Sequence, residues 1–409
     1  NPRTKYDIIQ KDFPIREFHA FADEFVTRPP YQRKNVWSKK KQSDLLDSMF
    51  RRYYIPRIVL REIRLNDQNT INEVIDGQQR IITAQNFLSN ELPLPKSLKD
   101  IRPDLSGKYY RDLPAEIRRF IEREIVYTAD IVKNIDDPMN PEHQKIATEI
   151  FWRLQQGESL TFMEIAHSRL SSLVRNFIVK YADDQAFDYK RYKPIDNNPP
   201  KHKFFDVISR NNNSMQHLGL MARLLLLEKN YESNNGPCDI RDLMIMEYID
   251  EYQVDDGIGN FSYENAPEAK RVLSLMDKFY KVFKDDPMVD ENGGLREFNI
   301  EYFIISVFLL LRHINQYYVF DKNEEKLFAD FVISFHQRWK ADRSEDDTDI
   351  LYFAESRQMS AAEIATRDRI IRQAFFEFAN AHNHQLLTTD QTGSFNEAEP
   401  MKIYRRDNG

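Results

Sequence analysis

The spacing of apolar positions changes near residue 140, and that change divides the chain. Before it, short aliphatic and β-branched runs at 58–63, 71–75 and 125–132 predict strands, bounded by polar or turn-forming residues. Stretches at 39–52 and 78–88 carry apolar residues at helical spacing. The last two strands flank the second of these helices and a polar insert punctuated by Pro93, Pro95 and Pro103. The cluster Asp136, Asp137, Pro138, Met139, Asn140, Pro141 then blocks regular structure, because the residue before a proline is pushed out of the helical region. From Glu142 onward the spacing is almost wholly helical. One helix runs to a stop signal at Gly157. A second opens with the capping box Thr161-Phe162-Met163-Glu164 and carries Ile165, Leu170, Leu173, Phe177 and Ile178. Loops follow at 194–203 and 233–237, with helices at 240–252, 266–283, 298–318, 327–340 and 361–381. The acidic stretch 344–349 reads as a surface loop and the end after His384 as a polar tail. The expected class is α+β: an α/β domain over 1–140, a helical extension over 141–232 and an all-helical domain over 233–409.

One junction in this pattern carries chemistry. The strand ending Val74-Ile75-Asp76 meets Gly77 and then Gln78-Gln79-Arg80, where the helical spacing of Ile81, Ala84 and Leu88 begins. Strand, glycine turn and helix start aim backbone N–H groups and the positive end of the helix dipole at one spot, which suits an anion. Gly77 admits a phosphate close to the backbone, and the Arg80 fork matches phosphate oxygens. Asp76 is placed to hold magnesium, to orient a water or to bind a sugar hydroxyl. The plainer alternative is a β-turn with an Asp cap and a solvated arginine. The segment is neither a Walker A loop nor a dinucleotide fingerprint.

Upstream lie Tyr31-Gln32-Arg33, Val36-Trp37, the run Lys39-Lys40-Lys41, the helical Leu45-Leu46-Asp47-Ser48-Met49, and Tyr54-Ile55-Pro56. This order, followed by a strand and DGQQR, resembles the N-terminal nucleotide-binding domain of GmrSD-type modification-dependent restriction systems. That domain also occurs in the phosphorothioate-sensing defence protein SspE and is distantly similar to the ParB/sulfiredoxin fold. The segment 150–160 is similar to the family's F-x-R-hydrophobic-N-x-G-x-x-L stretch, with Gln155 where Asn is usual. The resemblance covers roughly residues 10–230. It implies a ParB/sulfiredoxin-like α/β domain that binds and hydrolyses a nucleoside triphosphate with Mg2+, coupled to DNA sensing and to a nuclease. It implies nucleotide-binding roles for Gln32, Arg33, Asp76, Gly77, Gln78, Gln79 and Arg80. Catalytic roles fall to Asp76, Gln79 and Arg80, with Asp76 as the metal ligand. The alternative it leaves is a nucleotide-gated DNA-binding switch or scaffold without hydrolysis.

Composition narrows the partners. At 409 residues the chain is long enough for more than one core, and 41% hydrophobic residues make it globular. Its single cysteine, Cys238, excludes a disulfide framework and multi-cysteine zinc sites, and fits a reducing cytoplasm. It also excludes sulfiredoxin chemistry at the motif, where a cysteine would be needed. The longest apolar run, 303–311, is too short to span a bilayer, so no membrane partner is expected. The net charge of −7 hides an asymmetry: residues 1–64 hold 15 basic and 8 acidic side chains, whereas residues 241–350 hold 13 and 24. DNA contact is therefore expected from the front, at Arg28, Arg33, Lys34, Lys39, Lys40 and Lys41, and not from the acidic helices.

The string His382-Asn383-His384 is no HNH nuclease, because that motif is spread over a ββα-metal fold and these histidines end a long helix. His313 and His336 lie on largely apolar helix faces, where core histidines are usual. Cleavage is expected only from a separate nuclease subunit. Tyr53-Tyr54, Tyr109-Tyr110 and Tyr317-Tyr318 suit either base stacking or core packing. Tyr31 and Trp37, flanking Arg33, suit either the pocket or the core.

Overall fold

The computed structural model describes residues 6–32, 37–155, 162–231, 233–252, 262–285, 295–341 and 348–387. They form two compact units, one of residues 1–170 with 185–197 and the other of residues 171–184 with 198–409.

The first unit is built on a mixed five-stranded sheet. Its elements are β1 (Asp7–Pro14), α1 (Ile15–Ala20), β2 (Phe25–Val26), α2 (Lys39–Phe50), β3 (Ile58–Asn66), β4 (Asn69–Asp76), α3 (Gln78–Leu88), α4 (Ala115–Glu124), β5 (Val126–Lys133), α5 (Pro141–Leu154) and α6 (Phe162–His167). The strand order is β1-β5-β3-β4-β2. β3 and β4 form an antiparallel hairpin, β5 runs parallel to β3, β1 antiparallel to β5, and β2 parallel to β4.

Side chains alternate across the pleat, so each strand feeds two layers. Ile58 and Leu60, Val74, and Ala129 and Ile131 pack with Phe18, Leu46, Met49, Ile81, Ala84 and Phe87 from α1, α2 and α3. The opposite face, with Val59, Ile75 and Val132, packs on Tyr31 and on Ala147 and Phe151 of α5. Helices on both sides of a sheet whose central strands are buried on both faces explain the near-continuous apolar runs. A hairpin of β6 (Ala186–Asp188) and β7 (Lys193–Ile195) also belongs to this unit, and its Tyr192 packs with Val26, Ile63 and Ile71.

The second unit is helical: α7 (Leu173–Ala182), α8 (Phe204–Val207), α9 (Gln216–Tyr231), α10 (Asp242–Glu251), α11 (Pro267–Phe283), α12 (Glu301–Tyr317), α13 (Lys322–Ala341), α14 (Thr348–Glu355) and α15 (Ala361–Ala381). Helix α12 is buried without interruption from Tyr302 to Ile314, which makes it a central helix wrapped by its neighbours, as its all-round apolar sequence requires. No helix among the described residues is long and apolar enough to cross a membrane.

Three expectations need correction. The helix expected to open at Thr161 and run through Ile178 is two helices. α6 stops at His167, and Ser172 caps α7 by accepting the Arg175 N–H at 3.2 Å. Position 161 itself, like the stop signal at Gly157, lies outside the described residues. The loop expected from Pro194 begins inside β7. The end of the acidic stretch, Thr348 and Asp349, starts α14.

Candidate nucleotide site at the strand–helix turn

β4 ends at Asp76, and Gly77 turns the chain with φ 96° and ψ 11° before α3 begins. A side chain cannot occupy this position, because a Cβ on Gly77 would lie 2.5 Å from Ile58 Cγ2, in the core. Gly77 also brings no capping side chain to α3. The positive end of the α3 dipole therefore lies at this turn, where the Arg80 N–H already donates to the Gly77 carbonyl at 3.0 Å.

Arg80 folds back over this turn. Its Nη2 donates to Asp76 Oδ2 at 2.6 Å and to the Arg57 carbonyl at 3.2 Å. Its Nε is buried with no hydrogen-bond partner among the described residues. The side chain is 13% exposed, so the solvated-arginine alternative does not describe it. The other carboxylate oxygen, Asp76 Oδ1, accepts from Gln155 Nε2 at 3.3 Å. Gln155 is thus the third member of the cluster, brought from the end of α5.

The amides of the motif divide their work. Gln79 is buried, and its Oε1 accepts the Trp37 N–H at 2.8 Å, while Gln42 Nε2 donates to the Trp37 carbonyl at 3.0 Å. Gln32 is buried as well and donates to the carbonyls of Ile75 at 2.8 Å and Val74 at 3.1 Å. Gln32 is thereby fastened to β4, and Trp37 to α3. Gln78 is the half-exposed amide at the helix start. Arg33 and Lys34 lie outside the described residues.

Beneath the turn is a polar cluster that sequence reasoning missed. Glu73, fully buried on β4, accepts from the Tyr31 hydroxyl at 2.5 Å and from the Tyr192 hydroxyl, and lies 3.5 Å from the Arg61 guanidinium. Arg61 also donates to the carbonyls of Ile135 and Asp137 and to Gln144 Oε1. Burial, with the Glu73 charge second, pushes both tyrosine hydroxyls well above their ordinary pKa, so both remain donors. A signal for this was present: Glu73 shares the parity of Ile71 and Ile75 on a strand whose face is apolar. Tyr31 is accordingly a core residue, its ring 5.5 Å from that of Phe151.

The basic front is uneven. Lys39, Lys40 and Lys41 are exposed in the first turn of α2, capped by Ser38, where the helix dipole favours acids and none is present. Arg28 is half-buried and donates to Gln185. Of the tyrosine pairs, Tyr53 and Tyr54 are exposed, whereas Tyr110 packs on Phe87 and Tyr318 is buried. His384 bonds Glu324 at 2.9 Å and His382 bonds the Phe378 carbonyl at 2.8 Å, so the two rings serve separate partners. No group of three or more His, Cys, Asp or Glu among the described residues is arranged to hold a metal ion.

Residues 15–171 match the family model of the GmrSD restriction endonuclease, N-terminal domain. This segment of the chain is a GmrSD N-terminal domain. Comparison with curated proteins and with solved structures returned no match. No HNH nuclease domain was detected. The GmrSD match includes Asp76, Gly77, Arg80 and Gln155, so the whole cluster at the turn falls within it. It leaves out β1 and the β6–β7 hairpin, which the first unit nonetheless contains.

Proposed function

We propose that the GmrSD domain binds a nucleoside triphosphate at the Asp76–Arg80 turn and hydrolyses it, as the regulatory module of a DNA-restriction system whose nuclease is a separate chain. The observation that carries this reading is the state of Arg80. Its guanidinium is held at the open end of α3 by Asp76, with a buried Nε that still lacks an acceptor. Turned outward onto a phosphate, the guanidinium gains that acceptor, and the positive end of the α3 dipole at the same turn favours the anion. A magnesium ion would arrive with the triphosphate, facing the Asp76 carboxylate and neutralising phosphate charge. Asp76 would hold the metal or orient the attacking water, Gln155 fixes its rotamer, and Gln78, whose Oε1 accepts from Gln79 at 3.5 Å, is the half-exposed amide nearest the ligand. Exposed lysines on α2 supply a surface for DNA phosphates.

A second reading is a switch that binds nucleotide without turnover. It is favoured by the engagement of both Asp76 oxygens, one by Arg80 and one by Gln155.

Phosphate release from each of the four ribonucleoside triphosphates, with and without DNA, separates the two readings. Arg80→Lys keeps a charge beside Asp76 but loses the fork, and is expected to weaken binding at least tenfold while the protein stays folded. Asp76→Asn is expected to retain nucleotide and lose release. Undiminished affinity in Arg80→Lys would remove the assigned site, and binding without release in the unaltered protein would establish the switch.

A further inference from the structure

The two edges of the five-stranded sheet are built differently. β2, at one edge, is only two residues long. β1, at the other, pairs with β5 over eight consecutive residues without a register break, and among the described residues no strand lies beyond it. Its outer edge is therefore an unbroken row of backbone donors and acceptors. Proteins usually defend such an edge with a bulge, a short strand, a covering element or charged side chains, and of these β1 carries the charges Asp7, Lys11 and Asp12. Here Asp7 through Asp12 are all exposed, with Ile8 57% and Ile9 46% accessible.

The sequence of this strand is self-complementary. When two copies of one strand pair antiparallel about a twofold axis, opposed residues must share a face of the sheet. The sum of their numbers is then even. With the axis at Ile9, Asp7 of one copy faces Lys11 of the other, Ile8 faces Gln10, and Ile9 faces its own counterpart. Asp7, Ile9 and Lys11 lie on one face, since Ile9 sits opposite core Ile131 and Phe13 is itself in that core. The result is an apolar pair flanked by two Asp–Lys pairs. Moving the axis to Ile8 sets Asp7 against Ile9, and moving it to Gln10 sets Ile8 against Asp12 and Ile9 against Lys11. Only the Ile9 register matches charge with charge. Asp7 already accepts from Asn134 through Oδ2 at 2.8 Å, which leaves Oδ1 for the lysine.

We propose that β1 is a homodimerisation edge, joining two copies of this chain through antiparallel β1–β1 pairing about Ile9 into a continuous ten-stranded sheet. The isologous interface needs nothing beyond the strand itself.

Sedimentation velocity of the full chain over a concentration series tests this. The unaltered protein should show a concentration-dependent monomer–dimer equilibrium. Ile9→Lys brings like charges together on the axis and should shift it to monomer, with an unchanged melting temperature because Ile9 is largely exposed. Asp7→Lys and Lys11→Asp should each be monomeric alone. Mixed in equal amounts, they should form a heterodimer, because each altered strand then faces its complement at both charged positions. The double variant should dimerise again. A monomer at every concentration, a dimer indifferent to Ile9→Lys, or single reversals that fail to associate on mixing would each overturn the proposal. If Ile9→Lys also lowers the melting temperature, recovery on mixing the two reversals decides.

Discussion

Gly77→Ala is the perturbation that most directly tests how the turn is built. Two penalties act together there. An L-residue forced to φ 96° leaves its allowed regions, which costs about 1–3 kcal/mol. Its Cβ would also meet Ile58 Cγ2 at 2.5 Å and Ile58 Cβ at 2.9 Å. Ile58 is fully buried between β5 and the helical layer, so relief requires core repacking, typically about 1–3 kcal/mol. Together these give about 2–6 kcal/mol, a large share of the roughly 5–15 kcal/mol that stabilises a domain. Because the chain holds two units, the suitable assay is local: hydrogen exchange of β4 and α3 amides in the full protein, read as opening free energy. Protection should fall by about that amount in α3, and nucleotide binding should fall with it. Gly77→Asn distinguishes the two terms. Asn tolerates positive φ but carries the same Cβ, so it should relieve the conformational penalty and keep the steric one, about half of the loss. If Gly77→Ala leaves α3 protection within 1 kcal/mol of the unaltered protein, or if Asn is fully tolerated, the steric argument is wrong.

Other expectations follow from the same structure. Gln155→Ala removes the amide donor to Asp76 and should lower nucleotide turnover roughly fivefold, the worth of about 1 kcal/mol, with little effect on the melting temperature; unchanged turnover would show that Gln155 is a bystander. Burial, then the nearby Lys201 charge, pushes the His217 imidazole down to about 4, where it donates to the Arg210 carbonyl and accepts from Lys201. The unfolded chain takes up that proton first, near pH 6.5, so the contribution is complete above that value and fades as pH falls toward 4, by roughly 3 kcal/mol at most. His217→Gln should therefore flatten the acid limb of a melting-temperature profile, and parallel profiles would contradict this. Replacing Lys39, Lys40 and Lys41 by alanine should weaken DNA binding and reduce its log–log salt slope by up to ~0.9 per lost phosphate contact. A slope unchanged by the triple replacement would move the DNA surface elsewhere.

The central part of the first unit was legible because its signals are local. β3, β4 and β5 are aliphatic runs that end at polar residues, and Gly77 marks the turn into α3. β1 escaped for a physical reason: residues 7–12 are exposed on both faces, so no alternation of apolar and polar positions betrays the strand. β2, at two residues, offers no pattern. The β6–β7 hairpin was hidden by Pro194, which argues against a strand except at an edge, and in a two-stranded sheet both strands are edges. At the site, the motif located Asp76, Gly77 and Arg80. It did not reveal that Gln79 is committed to Trp37 and Gln32 to β4, because hydrogen bonds across 42 residues of sequence have no local signature. The helix break at 168–172 was invisible for the opposite reason, since Leu170 and Leu173 continue the apolar spacing across it.

The path of the chain through the first unit bears on how the protein is made. The family match ends at residue 171, but Tyr192, which closes over Glu73, is synthesised some twenty residues later, after α7 has already been laid down for the other unit. During vectorial synthesis the sheet can form as soon as β5 emerges, yet Glu73 then lacks one of its two phenolic donors. A ribosome pausing between 171 and 192 would hold a nascent sheet with an incompletely solvated buried acid, a substrate for chaperones and proteases. A fragment cut at the family boundary would be left permanently in that state, so preparations meant to isolate the Asp76–Arg80 turn should extend through Asn197.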